Sequence, residues 1–121
     1  MKIASLSENK NNEKRIAITP ETTKKFISNG FEVFLGKGYG NHLGISDDHY
    51  KDNGAFIIDN ENEIIDTCDI FLQLGIPSDE KLALLKENQI LIGALNPYLN
   101  KEKISNLIKK KVKNFALELL P

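Results

Sequence analysis

Short apolar runs alternate with helix signals along most of this chain, and this alternation limits its possible folds more than any other feature. Six runs are typical of strands, at residues 2–6, 31–35, 55–58, 70–74, 89–95 and 112–120. The segments between them carry helix caps and apolar residues at helical spacing. Strands that alternate with helices through short loops favour a parallel sheet covered on both faces. The sequence therefore predicts an α/β fold of three layers.

Capping residues predict the helix boundaries. Thr19 followed by Pro20 predicts the start of the first helix, and Gly30 predicts its left-handed end. Ser46 and Gly54 bracket a second helix in the same way. Further helices are predicted at 60–65, from 77, and from Asn100, with inward-facing residues Leu82, Leu84, Leu85, Ile104, Leu107 and Ile108. We interpret the whole as a three-layer Rossmann-like (flavodoxin-like) parallel sheet.

The composition excludes several classes of function. A net charge of -1 over 121 residues leaves no basic surface for nucleic acid. A single cysteine, Cys68, cannot form an internal disulfide, which is typical of a reducing compartment. No apolar run approaches the roughly 20 residues that cross a bilayer. We therefore expect one cytoplasmic domain, residues 1–121, that inserts into no membrane itself.

Other candidate motifs have structural explanations. Gly36, Gly38 and Gly40 are spaced GxGxG and follow the second strand, whereas the dinucleotide fingerprint GxGxxG follows the first. Tight backbone turns explain this loop better. His42 and His49 lack an evident third ligand, so exposed histidines are expected and no metal site is predicted. Cys68 precedes a buried strand, where an inert core thiol is expected.

Polar residues follow three predicted strands, at the edge where parallel sheets bind ligands. They are Arg15 after the first strand, Gln73 in the fourth and Asn96 after the fifth. Arg15 is the only arginine among 16 cationic residues, and its planar fork suits a carboxylate or phosphate. Alternatively, Arg15 pairs with Glu8 or Glu13 and holds its loop. We predict Arg15, Gln73 and Asn96 as cleft residues and assign no catalytic residue.

The last apolar run has no helix after it that could cover it. A doubly wound domain normally continues its last strand into such a helix. We therefore expect a truncated chain with apolar surface near its final strand, and self-association through that surface.

The chain resembles the N-terminal domain shared by alanine dehydrogenases and the alpha subunit of proton-translocating NAD(P) transhydrogenase. The matching residues run through the whole sequence and comprise Glu8, Glu13, residues 15–20, residues 30–33, residues 38–40, Asp47, Tyr50, residues 54–55, Asp69, Pro77 and residues 115–121.

The resemblance also implies which branch is nearer. In alanine dehydrogenases, the arginine matching Arg15 and a lysine at the position of Gly75 hold the substrate carboxylate, and a histidine at the position of Asn96 serves acid-base chemistry. Gln73 stands where both branches commonly have lysine. Glycine and asparagine can neither carry charge nor move a proton, so amino-acid oxidation is not expected.

The ending 116–121 resembles the transhydrogenase branch. The resemblance implies an N-terminal fragment of an alpha subunit that, when complete, passes hydride between NAD(H) and NADP(H) coupled to proton translocation. The GxGxxG dinucleotide-binding domain would lie outside this chain, so NAD(H) is the cofactor of the full subunit and is not expected to bind tightly here. Expected partners are the rest of the alpha subunit, a membrane-embedded subunit and further copies.

Two alternatives stay open. The chain could be a divergent alanine dehydrogenase N-terminal domain, or a non-catalytic interaction module that kept the fold. Gly75 and Gln73 favour the latter because they lack the expected lysines.

Overall fold

The computed structural model describes residues 1–8 and 14–117, which build a six-stranded parallel sheet with helices on both faces. The strands are β1 Lys2–Ser5, β2 Glu32–Gly36, β3 Phe56–Ile58, β4 Ile70–Gln73, β5 Ile90–Gly93 and β6 Lys113–Ala116. The helices are α1 Pro20–Ser28, α2 Asp47–Asp52, α3 Glu61–Thr67, α4 Asp79–Leu84 and α5 Lys101–Lys109, with a short 3-10 turn at Asn41–Leu43.

The strand order is β3-β2-β1-β4-β5-β6, and every pair of neighbours is parallel. This confirms the three-layer Rossmann-like fold. The order is that of the six-stranded doubly wound sheet and differs from the flavodoxin order 2-1-3-4-5. This order arises because β2 and β3 are added on one side of β1. The chain then crosses back through α3, and β4, β5 and β6 are added on the other side of β1.

The predicted caps fix the helix boundaries. Thr19 accepts a hydrogen bond from the N–H of Thr22 at 3.1 Å, and Ser46 caps α2 in the same manner. Gly30 and Gly54 end α1 and α2 with φ of 89° and 102°. Asn100 occupies the cap position of α5, but its amide donates to the preceding loop and does not accept a bond from the helix.

Each face of the sheet carries its own apolar core. One core packs α1 and α2 on the strands around Val33 and Leu35, and the other packs α3, α4 and α5 around Phe71 and Leu91. Two residues predicted to face inward do not. Leu84 is 40% exposed and Ile108 is 63% exposed, because each residue of a helix turns about 100° from the one before it.

The face of β4, β5 and β6 opposite α4 and α5 is only partly covered. Ile92 of β5 is in register with Phe115 of β6, which is 53% exposed. Leu117, the next residue of this row, is 46% exposed. The apolar surface predicted near the final strand is therefore present, while self-association stays a prediction. The predicted strand 112–120 extends past residue 117 and so partly outside the described residues.

Candidate functional site at the carboxyl edge of the sheet

The carboxyl ends of β1, β4 and β5 lie side by side because these strands are neighbours in the sheet. Ligands of doubly wound sheets bind at this edge, where the strand order reverses between β1 and the next half. Arg15 lies in the segment after β1, Gln73 ends β4, and Asn96 follows β5. The topology thus brings the three predicted chain segments to one edge. Contact of each side chain with a ligand stays a prediction.

Gln73 is only 3% exposed, and its amide is engaged within the protein. Its Oε1 accepts from the N–H of Leu6 at 2.6 Å, and its Nε2 donates to the carbonyl of Leu6 at 3.1 Å. Nε2 also donates to Oε2 of Glu8 at 2.9 Å. The side chain therefore pairs with Leu6 as a strand residue would and ties the end of β1 to β4. Contact of Gln73 with a ligand would compete with these bonds.

Glu8 reaches across from the end of β1 to the end of β4. Its Oε2 accepts from the N–H of Leu74 at 2.8 Å, and its Oε1 accepts from the N–H of Gly75 at 3.2 Å. Together with Gln73 Nε2, these donors surround one partly buried carboxylate. We call the three donors the β4 nest. Successive backbone N–H groups form concavities that bind anions, and here the anion belongs to the chain itself.

A buried tyrosine fixes the segment that carries Arg15. The phenol oxygen of Tyr39 accepts from the N–H groups of Ala17 at 3.2 Å and Ile18 at 3.3 Å. The same hydroxyl donates to Oγ of Ser5 at 2.8 Å. This joins the segment to the last residue of β1, while the Arg15 residue itself is exposed.

Two further side chains hold the same segment. Tyr50 donates its hydroxyl to the carbonyl of Ile18 at 2.8 Å, and Nε2 of His42 lies 2.8 Å from the carbonyl of Lys14. Burial raises the pKa of Tyr50, and its neighbour Tyr39 raises it further. Burial also raises the pKa of Tyr39 against the lowering effect of its hydrogen bonds. Both phenols therefore keep their protons at neutral pH and can donate.

A second carboxylate, Glu61, lies beside the end of β1. Its Oε2 accepts from the N–H of Ser7 at 2.8 Å, and its Oε1 is 3.8 Å from Nζ of Lys81. A side chain at Gly36 would come within 3.1 Å of Glu61. The segment leaving β1 is thus fixed by two acids, one on each side of the strand.

The loop after β2 that contains Gly38 and Gly40 makes its contacts with other residues of the chain. The N–H of Gly38, whose φ is 80°, donates to both carboxylate oxygens of Asp47 at 3.0 and 3.2 Å. A Cβ at Gly40 would lie 2.9 Å from Cβ of Ile45. Close backbone turns and close packing account for these glycines, in line with the sequence interpretation.

Asn96 and Gly75 lie in two of the loops at this edge. Asn96 is exposed with a φ of 46°, and its carbonyl accepts from the N–H groups of Leu99 and Asn100, both at 3.1 Å. Gly75 contributes its N–H to the β4 nest. Neither residue has a titratable side chain. At these two positions the described edge therefore supplies no side chain that could transfer a proton in catalysis.

Cys68 is buried at 2% exposure, and burial raises its pKa to about 11. It is therefore a neutral thiol at physiological pH, in agreement with the inert core thiol predicted from sequence. Among residues 1–8 and 14–117, no three His, Cys, Asp or Glu side chains are placed to share a metal ion. No helix of the described chain is long and apolar enough to span a membrane.

A cavity of about 460 Å³ lies between α4 and α5, away from the predicted cleft residues. Two of the cations that line it have partners: Lys103 pairs with Asp79 at 3.3 Å, and Lys110 donates to the carbonyls of Leu82 and Ala83. We interpret this cavity as the groove between two packed helices.

The sequence did not reveal the contacts of Glu8, Tyr39 and Tyr50. Each contact joins positions far apart in the chain, such as Glu8 with Leu74 and Tyr39 with Ser5. The available signal was chemical, because a phenol buried in a glycine-rich loop needs a hydrogen-bond partner.

Comparisons with known proteins identify the family and support the fold. A family model described as the alanine dehydrogenase/PNT N-terminal domain matches residues 5–121. An NAD(P) transhydrogenase subunit alpha protein of Rickettsia prowazekii is 38% identical over the whole chain, and the chain covers 33% of that protein. The Rhodospirillum rubrum protein of the same description is 32% identical with the same coverage. Alanine dehydrogenase of Methanococcus maripaludis is 34% identical over 98% of this chain and 32% of its own length.

Solved structures give the same result. A transhydrogenase from Sinorhizobium meliloti superposes with a TM-score of 0.87 at 30% identity, over 98% of this chain and 36% of that chain. An L-alanine dehydrogenase superposes with a TM-score of 0.88 at 22% identity, over 96% and 32%, which shows the shared fold. The chain spans about a third of the length of these relatives.

Proposed function

Because the chain belongs to the alanine dehydrogenase/PNT N-terminal domain family, we propose that it is the N-terminal domain of an NAD(P) transhydrogenase alpha subunit. In this proposal it belongs to the NAD(H)-binding component, which passes hydride between NAD(H) and NADP(H) with coupled proton translocation. The chain forms one wall of the cleft and does not catalyse hydride transfer alone.

The carboxyl edge carries this proposal. Arg15 is displayed there on a segment fixed by buried tyrosines, whereas Gly75 and Asn96 replace the two groups that amino-acid oxidation would use. An edge with a guanidinium and no proton-transfer group at these positions suits a contact surface for an anionic cofactor. The similarity to two transhydrogenase alpha-subunit proteins along the whole chain supports the same choice.

Several features of the complete assembly belong to the proposal. The GxGxxG domain of the subunit would hold NAD(H), and this chain would not bind it tightly. A membrane-embedded partner subunit would place the protein at the inner membrane as a cytoplasmic, peripheral component. Further copies of the subunit would form a homo-oligomer through contacts that include the partly covered sheet face.

A divergent alanine dehydrogenase domain is the second candidate. It is supported by the 34% identity to the Methanococcus maripaludis enzyme over 98% of the chain. A non-catalytic interaction module is supported by Gln73, whose amide is engaged in holding β1 and β4 together.

Calorimetric titration with NADH tests whether this domain or the rest of the subunit holds the cofactor. We expect no saturable heat with the wild-type chain, since the cofactor is held elsewhere in the subunit. Saturable binding that Arg15→Ala abolishes would overturn this expectation and make Arg15 a direct contact. Lys14→Ala is the matched control, because Lys14 is an adjacent exposed cation whose main-chain carbonyl alone is used by His42.

A domain exchange tests the proposed activity. This chain would replace the matching third of the Rhodospirillum rubrum alpha-subunit protein, and hydride exchange between NAD(H) and an NADP(H) analogue would be measured with the remaining subunits. Activity that falls with Arg15→Ala but not with Lys14→Ala supports the proposal. A folded, inactive exchange protein, together with alanine oxidation in the parallel exchange into alanine dehydrogenase, would favour the second candidate.

A further inference from the structure

Asparagine precedes glycine twice in this chain, at Asn29-Gly30 and at Asn53-Gly54. Asparagine is a thermolabile residue, and glycine has no Cβ to shield its main-chain nitrogen. In deamidation, the glycine nitrogen bonds to Cγ of the asparagine, the Cγ–Nδ2 bond breaks, and ammonia leaves with the proton of the attacking nitrogen. Water then opens the five-membered imide to aspartate or isoaspartate. Both dipeptides are therefore candidate sites of spontaneous modification.

The same hydrogen bonds hold both dipeptides at the ends of α1 and α2. Nδ2 of Asn29 and of Asn53 donates to the carbonyl four residues earlier, at 2.8 and 2.9 Å. The N–H of Gly30 and of Gly54 donates to the carbonyl three residues earlier, at 3.0 and 2.9 Å. The glycine nitrogen must leave this bond before it can attack Cγ. Deamidation at either site therefore requires local opening of the helix-end turn.

The packing around the two glycines differs. A Cβ at Gly30 would meet no atom of the described residues within 4 Å, and Asn29 is exposed. A Cβ at Gly54 would collide with Cδ1 of Ile27, a residue of α1, and would lie 3.6 and 3.7 Å from two further atoms of that side chain. Asn53 is half-buried. Opening the turn at Gly54 must therefore separate it from Ile27, whereas the space beside Gly30 is already open.

We propose that Asn29 is a site of spontaneous deamidation in the folded protein and that Ile27 protects Asn53 from the same reaction. Loss of the Ile27 contact makes opening at Gly54 less favourable, so the reactive state is less populated there. We expect isoaspartate to form at position 29 about tenfold faster than at position 53, or more. These groups precede β2 and β3 at the amino ends of those strands, so the outcome does not depend on the transhydrogenase proposal.

The modification would weaken the end of α1. It replaces the Nδ2 group that donates to the carbonyl of Lys25 with a carboxylate oxygen. It also places a negative charge at the C-terminus of a helix, where the helix dipole is itself negative. Isoaspartate further adds a methylene to the main chain in the turn before β2. The aged protein should therefore unfold at a lower urea concentration than the fresh protein.

Ageing of the wild-type chain in mildly alkaline buffer tests the proposal, with one sample folded and a second sample in urea. Protein isoaspartyl methyltransferase labels isoaspartate, and mass spectrometry of proteolytic peptides assigns each label to its position. In urea, Asn29 and Asn53 should react at similar rates because both precede glycine. In the folded protein, the reaction of Asn53 should slow at least about tenfold more than that of Asn29.

Three variants identify the groups responsible. Asn29→Gln should remove the isoaspartate that the folded protein forms at this position, and Asn53→Gln, the matched control, should leave it unchanged. Ile27→Val deletes Cδ1, the atom that contacts Gly54, and should speed the reaction of Asn53 while leaving Asn29 unaffected. Equal rates at the two sites of the folded protein, a faster reaction at Asn53, or an Asn53 rate that ignores Ile27→Val would overturn the proposal.

Discussion

Replacing Tyr39 with phenylalanine removes one hydroxyl and three hydrogen bonds while it keeps the packed ring. The buried N–H of Ile18 and the partly buried N–H of Ala17 lose their acceptor, and Ser5 loses its donor. An unsatisfied buried group costs about 1–3 kcal/mol, and a lost ordinary bond costs about 1 kcal/mol. Because the two accepted bonds are long, at 3.2 and 3.3 Å, we expect a total loss of about 2–4 kcal/mol in the free energy of unfolding.

Urea denaturation measures this loss. With a slope of about 1–2 kcal/mol per molar urea, the midpoint should fall by roughly 1–4 M with the slope unchanged. Tyr50→Phe is the matched control, since it removes only the bond to the carbonyl of Ile18 and should cost about 1 kcal/mol. In a double-mutant cycle, Ser5→Ala and Tyr39→Phe should not be additive. A Tyr39→Phe loss no larger than that of Tyr50→Phe would refute this account of how the Arg15 segment is held.

Three further predictions concern packing, association and pH. Gly93→Ala should lower the free energy of unfolding by about 1–3 kcal/mol, because its Cβ would collide with the β4 backbone. Gly75→Ala should leave the free energy of unfolding nearly unchanged. Thermal unfolding of both variants compares the two effects. The chain should self-associate through its partly covered sheet face. In light scattering, Phe115→Lys should shift the protein toward monomer, whereas Phe56→Lys at the opposite edge of the sheet should not. A wild-type protein that is monomeric at all concentrations would contradict this prediction. Cys68 has its pKa raised from 9.0 to about 11, so its contribution to stability is complete below pH 9 and is lost as pH rises toward 11. Cys68→Ala should flatten the fall in unfolding free energy over that range, and an unchanged slope would contradict the assignment.

The fold could be predicted because its signals are local. Thr19, Ser46 and Ser78 cap the helices that their sequence positions indicate, and the left-handed glycines Gly30 and Gly54 end the first two of these helices. The inward faces were predicted less well, since short helices leave little periodicity to define a direction. Leu84 and Ile108 are exposed for this reason.

The site could be predicted only as a set of chain segments. Parallel strands end at one edge, so placing Arg15, Gln73 and Asn96 there needed only the strand order. The hydrogen bonds of Gln73 and Glu8 could not be predicted, because they join residues 65 to 67 positions apart and depend on ångström-scale geometry. Burial of Gln73 likewise follows from the packing of β1 against β4, which no local pattern encodes.

The pairing of Gln73 with Leu6 has an evolutionary consequence. Lysine, which the family resemblance leads one to expect at this position, has three donors and no acceptor, so it would leave the N–H of Leu6 without its partner while gaining an ion pair with Glu8. Glutamine and lysine codons differ by a single base. A lineage can therefore exchange, in one mutational step, an amide that bonds both polar groups of the Leu6 main chain for a cation beside the Glu8 carboxylate.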